Sequence, residues 1–155
     1  MIRASLLRIL LSSLSIASAA ATASVGNAQT TTPATGWARA GTQGDFVVTD
    51  FTFRSGERLP ALTLHYTTLG TPQRDAGGVV RNAVMILHGT GGTGRSFLST
   101  AYAGELFAPG KLLDSAKYFI VLPDGIGHGG SSKPSDGLHS RFPKYKYIDL
   151  ITAQH

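Results

Sequence analysis

Alternating apolar and polar positions predict that the folded part of the chain begins with two β-strands. From Asp45 the apolar side chains fall on one side of a period-two pattern, and the same pattern returns after the polar stretch Ser55-Gly56-Glu57. The apolar positions are Val47, Phe51, Phe53, Leu62, Leu64 and Tyr66. A short polar turn between two such runs is typical of an antiparallel hairpin. We therefore expect a hairpin with one apolar face.

Two unbroken apolar runs, residues 83–87 and 118–122, predict strands further along the chain. Continuous runs of this length suit strands that are covered on both faces, as in parallel sheets. Between them, residues 97–107 carry apolar side chains at near-helical spacing, and Pro109-Gly110 ends the pattern. The helical positions are Leu98, Tyr102 and Leu106. Strand, helix and strand in this order predict a βαβ unit.

The last segment predicts the start of a further helix. Ile148, Ile151 and His155 are spaced three and four residues apart, and Asp149 lies in the first turn, where the helix dipole favours a carboxylate. Together the elements predict the α/β class, with an antiparallel hairpin followed by a parallel βαβ unit.

A glycine-rich loop follows the first unbroken run and is the main candidate for chemistry. Four of the six residues 89–94 are glycines, and such a loop points main-chain N–H groups at a phosphate or at a developing oxyanion. Its letters fit the dinucleotide pattern G-x-G-x-x-G. Residues 89–96 are also one substitution, Arg95 for lysine, away from a Walker A loop. A nucleotide-binding loop at residues 89–96 is therefore one alternative.

The surroundings of the loop argue against nucleotides. A dinucleotide fold normally opens with the fingerprint strand and has an acid about 20 residues after the loop. Here a hairpin comes first, and Asp124 lies 30 residues after Gly94. Arg95 has a planar guanidinium that replaces the compact Walker lysine poorly. The oxyanion alternative is therefore favoured.

The N-terminal segment predicts export. Two arginines precede an apolar stretch at residues 9–21, and a small-x-small cleavage site ends at Ala28. We interpret residues 1–28 as a signal peptide, with a cut after Ala23 as the alternative, and we expect a periplasmic or secreted protein. No later run is apolar enough to predict a membrane span.

Composition narrows the remaining choices. Residues 29–44 are rich in Thr, Ala and Gly and predict a disordered leader, which leaves residues 45–155 for the folded domain. The chain has no cysteine, so disulfides, thiolate nucleophiles and cysteine metal sites are excluded. Without the two arginines of the signal segment, 12 basic residues face 9 acidic ones, a net charge of +3. This charge is too small and too scattered to predict nucleic-acid binding.

The order of these motifs resembles the N-terminal half of the α/β-hydrolase family. The motif His88-Gly89-Thr90-Gly91-Gly92 ends a predicted central strand, and the next predicted strand runs into a second glycine-rich loop from Asp124 to Ser132. Within that family the chain is similar to the homoserine O-acetyltransferase branch, over residues 45–155. That branch usually has His-Ala-Leu-Thr-Gly at residues 88–92 and asparagine in place of Asp124.

The resemblance implies an incomplete α/β-hydrolase fold and half of an oxyanion hole. The loop after the third strand supplies one donor in this family, here the main chain of Thr90 with Gly89 beside it. The second donor follows the nucleophile, and all three triad residues come from the fifth and later strands. None of the triad residues is present, and no serine lies in a Gly-x-Ser-x-Gly frame. The resemblance thus implies an inactive N-terminal fragment of a hydrolase or acyltransferase whose partner is a small acyl substrate.

Three polar residues near the glycine loops are expected to shape them. We interpret His88, Asp124 and His128 as structural groups that hold the loops by local hydrogen bonds. Ser131 and Ser132 lie close to them in sequence, but a triad depends on geometry, so we do not expect one here. No histidine pair has metal-ligand spacing, and we predict neither a metal nor a cofactor. A stand-alone exported binding module remains the alternative to an enzyme fragment.

Overall fold

A computed structural model describes residues 36–154 as a four-stranded sheet with short helices. The predicted signal peptide, residues 29–35 of the predicted leader and His155 lie outside the described residues. The strands are β1 (Thr42–Thr52), β2 (Arg58–Leu69), β3 (Ala83–Met85) and β4 (Phe119–Pro123). The α-helices are α1 (Trp37–Ala40), α2 (Thr100–Leu106) and α3 (Tyr147–Gln154). Short 3₁₀ helices cover Gly94–Leu98, Pro134–Asp136 and His139–Arg141.

The sheet confirms the predicted α/β class. Its strand order is β1-β2-β4-β3, with β1 antiparallel to β2 and β2 antiparallel to β4. β3 and β4 are parallel and joined through α2, which is the predicted βαβ unit. Parallel neighbours end on the same side of a sheet. The loops after β3 and β4 therefore emerge side by side.

Two apolar clusters lie on opposite faces of this sheet. The first joins the hairpin to α3 and its preceding loop, and the second joins β2, β3 and β4 to α1 and α2. β2 serves both clusters, because Leu62 and Leu64 point into the first while Leu69 points into the second. The largest fully buried side chains include Phe107, Leu62, Ile120, Leu122 and Ile126.

The boundary predicted for the leader is wrong at its C-terminal end. Residues 37–44 are ordered: α1 begins at Trp37, and β1 begins at Thr42, which pairs with Thr68 of β2. The Trp37 ring meets the ring of Phe107 edge-on, with centroids 6.4 Å apart. This contact is long-range, so the local composition of the segment did not indicate it.

The predicted apolar face of β1 is also wrong at one position. Val47 is 50% exposed, whereas Val48 packs against the cluster that contains Phe51 and Phe53. Asp50 lies between them with φ of 52°, a left-handed conformation that reverses which side chains point inward. The period of two therefore holds on each side of Asp50 but not across it.

The helix predicted over residues 97–107 is divided in two. A 3₁₀ helix ends at Leu98, Ser99 is extended with ψ of 148°, and α2 starts at Thr100. Leu98 is buried as expected, but Tyr102 is 56% exposed. No helix within residues 36–154 is long and apolar enough to cross a membrane.

The expectation that both unbroken runs are covered on two faces holds for neither strand, because Phe119 and Val121, on the other face of β4, are only partly buried. Ile120 and Leu122 of β4 are fully buried, whereas Met85 is 50% exposed and Leu87 is 51% exposed. β3 is the last strand of the sheet within the described residues, which explains the difference.

Candidate active site

The loop after β3 begins with a tight turn. The Gly92 N–H donates to the Gly89 carbonyl at 3.0 Å, and Gly91 has φ of 78°. A type II turn needs this positive φ at its third residue, where glycine carries no steric penalty. Thr90 therefore occupies the second position of the turn.

The turn leaves main-chain donors unused. Within residues 36–154, the N–H groups of Gly89, Thr90 and Gly91 donate no hydrogen bond, whereas those of Gly92, Thr93 and Gly94 do. Unpaired N–H groups in one turn are what an oxyanion or a polarised carbonyl oxygen requires. The predicted donor position, Thr90 with Gly89 beside it, is thus available for a ligand.

His88 connects the two glycine loops. Its Nε2 accepts the Gly125 N–H at 2.8 Å, so its Nδ1 carries the proton and donates to the Gly89 carbonyl at 2.9 Å. Both ring nitrogens are therefore occupied by main-chain partners. In this tautomer His88 has no lone pair left for proton transfer.

The buried carboxylate of Asp124 also links the two glycine loops. Its Oδ1 accepts the Gly94 N–H at 2.7 Å, and its Oδ2 accepts the Gly130 N–H at 2.8 Å. Asp124 is only 3% exposed. A buried carboxylate needs such donors, since an unpaired charge in the interior is strongly unfavourable.

The serines of the second loop are occupied by the backbone. The Ser131 hydroxyl donates to the Asp124 carbonyl at 2.7 Å and accepts the His65 N–H at 2.9 Å. The Ser132 hydroxyl accepts the Thr63 N–H at 2.9 Å. Neither hydroxyl makes a hydrogen bond to an imidazole within the described residues, so Ser131, His128 and Asp124 do not form a triad.

The position in this loop that requires glycine for steric reasons is Gly94 rather than Gly89. A Cβ added at Gly89 would meet nothing within 4 Å, and Gly89 does not have a positive φ. A Cβ at Gly94 would clash with the Leu122 carbonyl oxygen. Glycine at this end of the loop therefore allows the chain to pass directly over β4.

A cavity of about 340 Å³ opens where β3 and β4 end. Gly89, Thr90, His88 and His128 line one side of it, and α3 lines the other. The residues that sequence reasoning missed are Leu87, Gly125, Tyr147, Leu150, Ile151 and Gln154. No Asp, Glu, Lys or Arg lines this cavity, so its walls are apolar apart from neutral polar groups. The helical spacing near Ile151 predicted α3 but not which of its sides faces the loop.

Two of the curated relatives match about two thirds of this chain. A probable acyltransferase of Methanothermobacter thermautotrophicus is 33% identical over 110 residues, which are 70% of this chain and 33% of that protein. A homoserine O-acetyltransferase of Moorella thermoacetica is 34% identical over 115 residues, 64% of this chain and 30% of that protein. No family model matches the chain.

Solved structures share the fold of this chain. An acetylester hydrolase from Corynebacterium glutamicum superposes with a TM-score of 0.61 at 24% identity, over 73% of this chain and 31% of its own. A homoserine O-acetyltransferase from Staphylococcus aureus gives 0.59 at 24% identity, over 74% and 33%. The chain belongs to the α/β-hydrolase family. It matches the N-terminal part of the family fold and spans about a third of the length of the curated relatives.

Proposed function

We propose that this chain supplies the oxyanion loop of an α/β-hydrolase-family enzyme that transfers an acyl group from an ester or thioester. The unused N–H groups at Gly89 and Thr90, on the wall of an uncharged cavity, carry the proposal. Hydrolase and acyltransferase relatives support the reaction class. Water or an alcohol is the acyl acceptor.

In this proposal the substrate carbonyl oxygen accepts a hydrogen bond from the Thr90 N–H. The bond strengthens as negative charge develops on that oxygen, and the loss of one such donor lowers the rate on the order of 10² to 10³. His88 and Asp124 hold the donor in place by fixing the loop at both ends.

The nucleophilic serine is not among the serines of this chain. None lies in a Gly-x-Ser-x-Gly frame, and both serines of the second loop are occupied by the backbone. We therefore propose that the 155-residue chain binds an acyl ester without hydrolysing it.

A titration with methyl butyrate followed by NMR tests the loop. We expect the Thr90 amide resonance to move as the ester is added. Thr90→Pro removes the N–H at a turn position that favours proline, so it deletes the donor while retaining the turn. Thr90→Ala is the matched control, because it keeps the N–H. Equal affinity of both variants for the ester contradicts the proposal.

A phosphate-binding function of the same loop is disfavoured by charge. The Gly94 N–H, one of the groups that a phosphate loop would direct at its ligand, already donates to the Asp124 carboxylate. That carboxylate would repel a phosphate. Calorimetric titrations with ATP and NAD are expected to show no heat.

We also propose that the protein is exported and cleaved after Ala28. Support comes from the arginines, the apolar stretch and the small residues of residues 1–28. Expression of the whole chain in a bacterium and mass spectrometry of the exported fraction test this. An N-terminus at Gln29 is expected, and an uncleaved cytoplasmic chain would refute export.

A further inference from the structure

Two histidines line the same cavity but differ in how many of their ring nitrogens have a hydrogen-bond partner. The rings of His88 and His128 lie with centroids 5.0 Å apart, and both line the space next to Thr90. Both nitrogens of His88 are bound to main-chain groups. His128 makes one such bond, from Nδ1 to the Ile126 carbonyl at 3.2 Å.

This single bond fixes the tautomer of His128. A carbonyl oxygen only accepts hydrogen bonds, so the Nδ1 of His128 must carry the proton. A neutral imidazole has one N–H, so the Nε2 of His128 is an acceptor with a free lone pair. Within residues 36–154 no group donates to this nitrogen.

The cavity thus offers two complementary kinds of polar group. The main chain at Gly89 and Thr90 provides donors, which suit a carbonyl oxygen. His128 provides an acceptor, which suits a hydroxyl. No charged side chain lines the cavity, so an uncharged ligand matches it better than an amino acid with a free carboxylate and ammonium group.

We propose that His128 is a specificity-determining residue whose Nε2 accepts a hydrogen bond from a hydroxyl group of the ligand. The ligand class is an uncharged hydroxy ester. This inference rests on the proposed binding of an acyl carbonyl at Thr90. It adds to the loop-shaping role of His128, which the bond to Ile126 supplies.

Long-range ¹H–¹⁵N correlation spectra of the whole chain test the tautomer directly. We expect the protonated nitrogen to be Nδ1 in both His88 and His128. Addition of a hydroxy ester is expected to shift the Nε2 resonance of His128 and to leave that of His88 unchanged. A proton on the Nε2 of neutral His128 would overturn the proposal without any variant being made.

A matched pair of ligands tests the specificity. Methyl 3-hydroxybutyrate and methyl butyrate differ only in the hydroxyl, and one hydrogen bond predicts about two- to tenfold tighter binding of the hydroxy ester. His128→Phe should abolish this preference, with amide dispersion showing that the variant is folded. Thr152→Ala, which changes an exposed polar residue of α3 outside the cavity lining, should retain it.

The outcomes separate this inference from the proposed function. If both esters bind with equal affinity and shift the Thr90 amide, the role of His128 is wrong while the oxyanion loop stands. If neither ester shifts Thr90, the proposed function fails, and this inference fails with it.

Discussion

The carboxylate of Asp124 accepts the main-chain N–H of Gly94 at 2.7 Å across 30 residues of sequence. Asp124 follows β4 and Gly94 follows β3, so this bond joins the ends of two parallel strands. With the Gly130 N–H on its other oxygen, the carboxylate holds three loop segments around one buried point. The loop that contains the turn at Thr90 is thus anchored at Gly94 as well as by His88.

Loss of this anchor is expected to destabilise the fold. Asp124→Ala leaves the N–H groups of Gly94 and Gly130 without partners and should lower the free energy of unfolding by about 1–3 kcal/mol or more. Asp124→Asn should lower it less, because one oxygen remains. Urea unfolding measures both. Asp50→Asn is the control, since Asp50 is exposed and asparagine tolerates its positive φ. An Asp124→Ala variant as stable as this control would refute the anchoring role.

An added methyl group is expected to destabilise the fold at Gly94 but not at Gly89. Gly94→Ala places a Cβ against the Leu122 carbonyl and should cost about 1–3 kcal/mol of stability. Gly89→Ala meets no neighbouring atom and should change stability by less than about 0.5 kcal/mol. Thermal unfolding of the two variants side by side provides the measurement. Similar losses at both positions would contradict the loop geometry.

The buried Asp114 is expected to make stability depend on pH. The N–H groups of Gly110 and Ala116 donate to its carboxylate at 2.8 and 2.9 Å and lower the pKa of Asp114 below its ordinary value. A lowered folded-state pKa stabilises the fold at pH values above the ordinary pKa of about 3.9, and this contribution is lost as the pH falls through the folded-state value.

Denaturation between pH 3 and pH 6 measures this contribution of Asp114. Asp114→Asn should lose more stability at pH 6 than at pH 3, so its stability curve should be flatter than that of the unaltered chain. Glu105→Gln, at an exposed ion pair with Lys111, is the control and should leave the curve unchanged. A parallel shift of the Asp114→Asn curve at all pH values would argue against the pKa effect.

Trp37 is expected to report on folding, because it is the one tryptophan in the chain. It is half-buried against Phe107, so its emission should shift to longer wavelength in urea. Trp37→Ala should cost about 1–3 kcal/mol, less than the loss at a fully buried site. Leu112→Ala, at a side chain that is 78% exposed, should change stability by less than about 0.5 kcal/mol. Identical emission in water and urea would show that Trp37 is not packed.

Local patterns predicted the elements of this fold better than their contacts. The hairpin and the βαβ unit follow from periods of two and from short apolar runs, which are properties of neighbouring residues. The reversal at Asp50 and the break at Ser99 are backbone conformations that side-chain periodicity does not encode. Trp37 is the only large apolar residue in a polar segment of the sequence. Its packing in the fold is explained by its contact with Phe107, which is distant in sequence.

The candidate site shows the same limit. The glycine pattern located the turn with Thr90, because the sequence shows directly where glycines allow backbone conformations that other residues avoid. The tautomers of His88 and His128 depend on carbonyl and N–H groups that the sheet brings together from separate loops. The wall formed by α3 depends on how that helix rotates against the sheet, which the spacing of Ile148 and Ile151 alone did not determine.

β3 lies at the border of the sheet, where another polypeptide could pair with it. The turn at Thr90 follows this strand, and within residues 36–154 the strand also borders the sheet. Met85 of the strand and Leu87 just after it are half exposed. A bordering strand offers free main-chain groups to any extended segment that reaches it. A polypeptide that adds to this border would come to rest beside Thr90. Leu87 thus lies both on the wall of the cavity and on the surface that is open to another chain.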